Sequence, residues 1–261
     1  LGTAREPSLN DLRVLYKSDN FVVIDKCQDV MINSDDDNVL VTVETQLRHH
    51  FPELVDPHAE HGFRFVHRLD MATSGVLCVS VNKRSSRWAH KAFQKRRAVK
   101  HYLALVRGHV DKSFIDGQTI DAGIGIDSSV TDYRRMVVVD HPHCEHARSA
   151  VTTVRLLEHG EYDGQPASKL LLLPLTGRTH QLRVHLEYLG YPVIGDYCYS
   201  NRRDVKPFRM MLHAYHLFLP MPQETINITT RDPFLSETDV LWKPDVVYQT
   251  YQDYINNHPI S

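Results

Sequence analysis

The sequence has little of what a secreted or membrane-inserted chain needs. Its four cysteines, Cys27, Cys78, Cys144 and Cys198, are scattered with no CxxC pair, which argues against a disulfide scaffold and a clustered zinc-thiolate site. No apolar run approaches the length of a bilayer span, and the opening LGTAREPSLNDL lacks the apolar centre of a secretory signal. These absences point to a soluble intracellular protein of the cytoplasm or nucleus, with the mitochondrion left open. The fingerprints of nucleotide and hydrolase chemistry are missing as well: there is no phosphate-binding glycine loop, no GxGxxG and no GxSxG elbow. Histidine is plentiful, at seventeen residues, yet neither HPHCEH (141–146) nor HAEH (58–61) has HExxH spacing. No metal site and no cofactor are therefore expected.

What is present is a chain of 261 residues, 42% of them hydrophobic, enough to bury a sizeable core. No internal repeat or low-complexity tract interrupts it. The formal net charge of −2 conceals an uneven distribution. Between Asp70 and Asp111 there is no acidic residue, while Lys83, Arg84, Arg87, Lys91, Lys95, Arg96, Arg97, Lys100 and Arg107 all fall there. Such a run is ordinarily a solvated helix face. Cations without a counter-charge also make a field that attracts a polyanion, so a phosphate backbone becomes a candidate partner.

Hydrophobic periodicity outlines the elements. LRVLYKSDNFVVID (12–25) reads as two strands around a Ser-Asp-Asn turn, and VLVTVETQLRHH as a helix with Val43, Leu47 and His50 on one side. GVLCVSV (75–81) is apolar on both pleat faces, the pattern of an interior strand. Trp88 and Ala92, like Ala89 and Phe93, stand four apart, which predicts an amphipathic helix over 85–96 with basic residues on its other faces. VKHYLALVRGHV predicts a strand with Lys100, Tyr102, Ala104 and Val106 on one side. ARSAVTTVRLLEH and ASKLLLLPL suggest a hairpin turning between Gly160 and Gly164. Thr179 is the expected N-cap of a helix striped by Leu182, Leu186 and Leu189 and ended by Gly190. RMMLHAYHLFLP adds a strand before ITT and a proline-rich finish, while 111–148 resists assignment beyond a short strand at 134–139. Hairpins with interspersed helices predict an α+β fold on a mixed, mostly antiparallel sheet.

Within this frame FVHRLDMATSGVLCVS (65–80) sets His67, Arg68 and Asp70 between two strand-forming segments, with Thr73-Ser74-Gly75 as the turn. Taken alone, Asp70 is a turn-capping residue and Arg183 a surface ion-pair partner. Together they suggest more. Partial burial disfavours the charged form of a carboxylate, and a guanidinium brought against it restores the anion, the state a nucleophile requires.

HRLDMATSG (67–75), RAVKHYLALVRG (97–108) and TGRTHQLRVHLEYLGYPVIGD (176–196) resemble, in order and spacing, the signature regions of the RluA-type RNA pseudouridine synthases. LYKSDNFVVIDK and MLHAYHL extend the likeness over nearly the whole chain, and HGFRFVHRLD, KPFRMMLHAYHL and RDPFL resemble a eukaryotic branch of that family. There are two departures. Lys26-Cys27-Gln28-Asp29 stands where the family often has Lys-Pro-x-Gly, and GDYCYS, closing at Ser200, stands where it often has GDxxYG.

The resemblance implies the pseudouridine synthase fold with a central RNA-binding cleft. It implies one catalytic domain over 11–261 without an S4-like module, residues 1–10 forming a disordered edge. The implied activity is that of an isomerase converting uridine to pseudouridine in tRNA, rRNA or mRNA, with the base flipped out of the stack. Asp70 would be the catalytic aspartate, attacking the ribose anomeric carbon or assisting deprotonation of the ribose after glycosidic cleavage. Arg183 would pair with it, and Tyr102 would stack on the base and help remove the C5 proton. Arg68, two residues before Asp70 and so on the same face of any strand there, is the expected side chain inserted in place of the base. Lys95, Arg96, Arg97, Lys100, Arg178, His180 and Leu182 would contact RNA or substrate; were the basic run only a solvated face, the RNA path would lie near Arg178, Arg202 and Arg203. No membrane and no obligate protein partner are implied. The alternatives are an RNA-binding protein of the same fold without catalysis, against which the intact Asp70, Tyr102 and Arg183 count, and a glycosylase that releases uracil.

Overall fold

The computed structural model describes residues 6–131 and 133–260. Residues 1–5 of the expected edge segment lie outside the described residues, and Ser8 caps a single 3-10 turn at Leu9–Asp11. In chain order the first elements are β1 (Arg13–Lys17), β2 (Phe21–Lys26), α1 (Val43–His50), β3 (Arg64–Phe65), β4 (Ser74–Ser80), α2 (Lys83–Gln94) and β5 (Val99–Arg107). Next come β6 (Gln118–Asp121), β7 (Ile124–Asp127), β8 (Met136–Val138), β9 (Cys144–Arg148), β10 (Val151–Tyr162), β11 (Gln165–Pro174) and α3 (Gln181–Tyr188). The last are β12 (Leu212–Pro220), β13 (Thr225–Thr229), β14 (Trp242–Val247) and α4 (Tyr251–Asn257). Among the described residues no helix is long and apolar enough to cross a membrane. The chain forms two compact units, Leu1–Lys100 with His213–Arg231, and His101–Leu212 with Asp232–Ser261.

In the first unit the strands run in the order β1-β2-β4-β12, with β3 also on β4 and β13 on β12. β12 meets β4 in parallel, and the remaining pairs are antiparallel. β4 is buried at every residue, as its two-sided apolar pattern requires. Ala89 and Ala92 of α2 join Phe21, Val23, Cys78 and Leu217 in one core, with Trp88 and Phe93 packed against it. Asn82 starts α2 by accepting Ser85 N at 2.9 Å. α1 buries Val43 and Leu47, but His50, expected on the same side, lies exposed with Nε2 3.1 Å from Leu9 O.

The turn before β4 is not Thr-Ser-Gly. It spans Asp70 to Thr73, closed by Thr73 N donating to Asp70 O at 3.1 Å, and Ser74 and Gly75 already belong to the strand. Gly75 sits at φ +112, and a Cβ there would fall 2.1 Å from Ala214 O of β12. Only glycine permits that approach.

In the second unit the order is β5-β11-β10-β14, with β6 also on β10, and β8-β7-β9 form a separate small sheet. The β10–β11 hairpin turns at Asp163-Gly164 between paired Tyr162 and Gln165. Gly160, expected in that turn, lies inside β10 opposite Pro244 of β14. β14 and α4 arise from the finish whose pattern predicts no element. α4 is started by a Thr250–Asp253 capping box and anchored by buried Tyr254, whose ring meets His101 edge-on at 5.6 Å. RDPFL has a structural use: the buried Lys169 Nζ donates to Asp232 at 2.6 Å, Glu158 at 3.2 Å and Phe234 O at 3.0 Å. The expected α+β architecture on a mostly antiparallel sheet is the one the chain adopts.

Gly75→Ala should lower stability by roughly 3 kcal/mol or more, since it combines a left-handed φ with a clash against backbone that cannot turn aside. Urea unfolding of the two proteins measures this directly.

Candidate active site

Asp70 is half-buried on an irregular segment between β3 and β4. Two side chains of the first unit hold that segment. His67 Nε2 accepts Cys78 N of β4 at 2.9 Å, and its ring packs on Phe93 at 5.2 Å. Burial, and then the charge of Lys100, pull the imidazole down to about 3, so it is neutral at ordinary pH. On the far side of Asp70, the Lys26 ammonium donates to Met71 O, Val30 O and Cys27 O, each at 2.8 Å. Lys26 is thus a buried cation solvated by backbone carbonyls, fixing the chain one residue after Asp70. Gln28-Asp29 then turn with Asp29 at φ 58, the left-handed position that the family's glycine would occupy; aspartate tolerates it better than most residues.

Because 66–70 is not a strand, the same-face argument for Arg68 fails; Arg68 is instead an exposed loop side chain two residues before Asp70. Lys100, at the start of β5, keeps some accessible surface yet is packed closely enough that burial pulls its ammonium down to about 8. Lys95, Arg96 and Arg97 are exposed, Lys95 as the C-cap residue of α2 and Arg96 at φ 55.

The second unit holds Tyr102, Arg178, His180, Leu182 and Arg183. Tyr102 is half-buried on β5, opposite Leu172 of β11. α3 does not start at Thr179. His180 is its cap residue, in the left-handed region at φ 55, and the preceding loop is tied down by Gln181. The Gln181 Oε1 accepts Thr176 Oγ1 at 2.7 Å and Arg178 N at 2.9 Å, while Nε2 donates to Thr152 Oγ1 at 2.9 Å and Val151 O at 3.0 Å. Leu182 and Leu186 are buried and Leu189 is half-buried, and Gly190 follows at φ +84 as expected of the residue after a helix end. Arg178 Nε donates to Ser149 O at 2.9 Å, and His180 Nδ1 lies 3.0 Å from the Tyr199 hydroxyl.

Arg183 is buried, and its guanidinium forks onto Asp196, Nε to Oδ2 at 2.6 Å and Nη2 to Oδ1 at 2.8 Å. The Tyr199 ring lies 4.9 Å from the guanidinium carbon. Asp196 Oδ1 further accepts Cys198 N at 3.1 Å and Tyr199 N at 3.2 Å. Sequence reasoning finds neither Asp196 nor Lys26. The available signal was the GD closing the third signature region, with its aspartate thirteen residues past the arginine. Among the described residues, no cluster of three or more His, Cys, Asp or Glu is placed to hold a metal ion.

Comparison with known proteins follows the same lines. The family model described as RNA pseudouridylate synthase matches residues 20–188. RNA pseudouridylate synthase domain-containing protein 1 of Danio rerio is 45% identical over 250 residues, which are 96% of this chain and 84% of that protein. The dual-specificity RNA pseudouridine synthase RluA of Escherichia coli O6:H1 is 31% identical over 229 residues, 85% of this chain and 93% of the relative. The solved structure of human RNA Pseudouridylate Synthase Domain Containing 1 matches with a TM-score of 0.86 at 41% identity, covering 97% of this chain and 96% of the other.

Two outcomes follow from these clamps. In the unfolded chain His67 takes up a proton near 6.5, whereas the folded chain resists it down to about 3. Its contribution is therefore intact above 6.5 and lost progressively as pH falls toward 3. Between pH 7 and 5 the wild type should lose about 2 kcal/mol more in urea unfolding than His67→Gln, whose amide keeps an acceptor but no proton site. Asp196→Asn should strand the buried guanidinium and cost about 3–5 kcal/mol by the same measurement, while the paired change Asp196→Leu with Arg183→Met should recover much of the loss.

Proposed function

The chain belongs to the RNA pseudouridylate synthase family as an RluA-type member, an isomerase acting on RNA, and on that premise we propose that Asp70, Tyr102 and Arg183 are its catalytic residues. The observation that carries this reading is the treatment of Asp70. Its loop is pinned through His67 to β4 and through Met71 O to Lys26, so the backbone around one half-buried carboxylate is held by groups that are not themselves carboxylates. Pre-organisation of this kind serves chemistry at a fixed atom.

The reaction is an internal rearrangement. The ribose C1′–N1 bond breaks, a C1′–C5 bond forms, C5 loses its proton and N1 gains one, with no net oxidation. In this proposal the Asp70 carboxylate acts at the ribose as nucleophile or base, and the Tyr102 ring holds the flipped uracil and assists loss of the C5 proton. Arg183 supplies positive charge at the carboxylate; its orientation by Asp196 supports that role, because two of its three nitrogens are committed to one acceptor. Arg68, exposed beside Asp70, is the proposed stand-in for the base in the stack. Lys95, Arg96, Arg97 and Lys100 are proposed to meet phosphate, with Arg178, His180 and Leu182 toward the nucleotide. The RNA is proposed to be tRNA, rRNA or mRNA in an intracellular compartment, which the four free thiols support.

Asp70→Asn should keep the fold and RNA binding while removing turnover, read as pseudouridine formed in RNA extracted from cells that supply the wild type or the variant alone. Residual activity within about tenfold of wild type, equal to ~1.4 kcal/mol of barrier, would take Asp70 out of the central role. Free uracil among the products would mark a glycosylase, and RNA binding without either product a non-catalytic relative.

A further inference from the structure

The segment Tyr197–Arg209 follows directly on the Asp196 clamp and is used by none of the chemistry above. It carries Arg202, Arg203, Lys206 and Arg209 against one acid, Asp204. That acid is turned inward: its carboxylate accepts Arg107 Nη2 at 2.6 Å and Nε at 2.8 Å, and Gly195 N at 3.2 Å. Arg202, Arg203 and Lys206 are all exposed on this segment. Tyr197 is 52% exposed and Phe208 39%, so aromatic surface stands among these cations. The Arg202 guanidinium carbon lies 5.2 Å from the centre of the Tyr133 ring and 5.8 Å from that of Tyr197.

The turn is also strained. Asn201 at φ 52 and Arg202 at φ 61 are consecutive left-handed residues, an arrangement unfavourable to any L side chain and more so to arginine than to asparagine. It is held by Arg202 N on Tyr197 O at 3.0 Å, Arg203 N on Ser200 O at 3.1 Å and Asp204 N on Ser200 Oγ at 3.1 Å. Ser200, the position that departs from the family's GDxxYG, thus supplies one of the bonds that shape the turn. Strain kept at a surface, with a planar cation beside aromatic rings, is a feature to be explained by what binds there.

We propose that the 197–208 segment is a preformed platform for an unpaired stretch of the RNA substrate, with Tyr197 stacking on a base and Arg203 and Lys206 engaging phosphates. This rests on the synthase reading and extends it. Base faces are available only in unpaired RNA, and exposed tyrosine with arginine is the pairing that recognises them together with the backbone. The platform is tied to the chemistry by covalent and ionic routes: it follows directly on Asp196, which orients Arg183, and Asp204 binds Arg107 on β5, the strand that carries Tyr102. Bound RNA is thereby anchored to the same rigid elements that present the catalytic side chains of this unit.

The test uses the whole chain and labelled oligouridine of about twelve nucleotides, a duplex of equal length and a polyglutamate peptide, with affinity read by fluorescence anisotropy over a salt series. Tyr197→Ala should weaken oligouridine binding roughly fivefold or more and leave duplex binding unchanged. Arg203→Gln should flatten the slope of log affinity against log salt by about 0.7, and Arg203→Lys should restore the slope. Wild-type affinity and slope in the variants, alongside normal turnover, would overturn the platform and leave the synthase reading standing. Equal weakening on duplex, or polyglutamate binding as tight as oligouridine, would also overturn it. A wild-type chain that forms no pseudouridine and binds no RNA would instead remove the reading on which it rests.

Discussion

A buried guanidinium must be matched by an anion, and in this protein that requirement organises the second unit. Arg183 lies in the early turns of α3 where apolar neighbours exclude water, and isolated there its charge would be prohibitive. Asp196 answers it with both oxygens, and the same carboxylate accepts two backbone amides from the residues that follow it. The helix that carries Arg183, the turn entering 197–209 and the ring of Tyr199 are consequently one mechanical piece. Breaking the pair leaves charge uncompensated on either side, which is why a buried pair of modest net stabilisation can still be indispensable.

The first unit solves a related problem without a second carboxylate. The Asp70 loop is held through its main chain. Lys26 grips carbonyl oxygens, Met71 O among them, and neutral His67 takes a backbone amide. Both act on the main chain. The depressed basicity of His67 and Lys100 has one origin, desolvation, and the Lys100 charge adds to the effect on His67.

Charge is distributed to match. The acid-free run from Met71 to Val110 supplies exposed cations on α2 and after it, while four acids of the second unit are turned toward internal cations: Asp204 on Arg107, Asp196 on Arg183, Asp232 and Glu158 on Lys169. A chain with a net charge of −2 can therefore still present positive surface, because part of its acidity is turned inward.

The sequence by itself determined the local elements and the chemical cast. Two-sided apolarity marked β4, a four-residue repeat marked α2, and HRLD, KHY and HQLR marked the residues proposed for catalysis. It erred where a local signal competed with a distant one: Gly160 reads as a turn residue but β14 requires it within β10, and Thr179 reads as a cap although Gln181 ties down the loop instead. What only the tertiary structure decided is the partner of each buried polar group. Asp196 lies thirteen residues from Arg183, Met71 forty-five from Lys26, and His213 139 from the Ser74 hydroxyl it meets at 2.6 Å. Periodicity reports which face of an element leaves water and extends over a few residues. The identity of the group that satisfies a buried charge depends on where the chain returns, and that is settled only when the strands between them have paired.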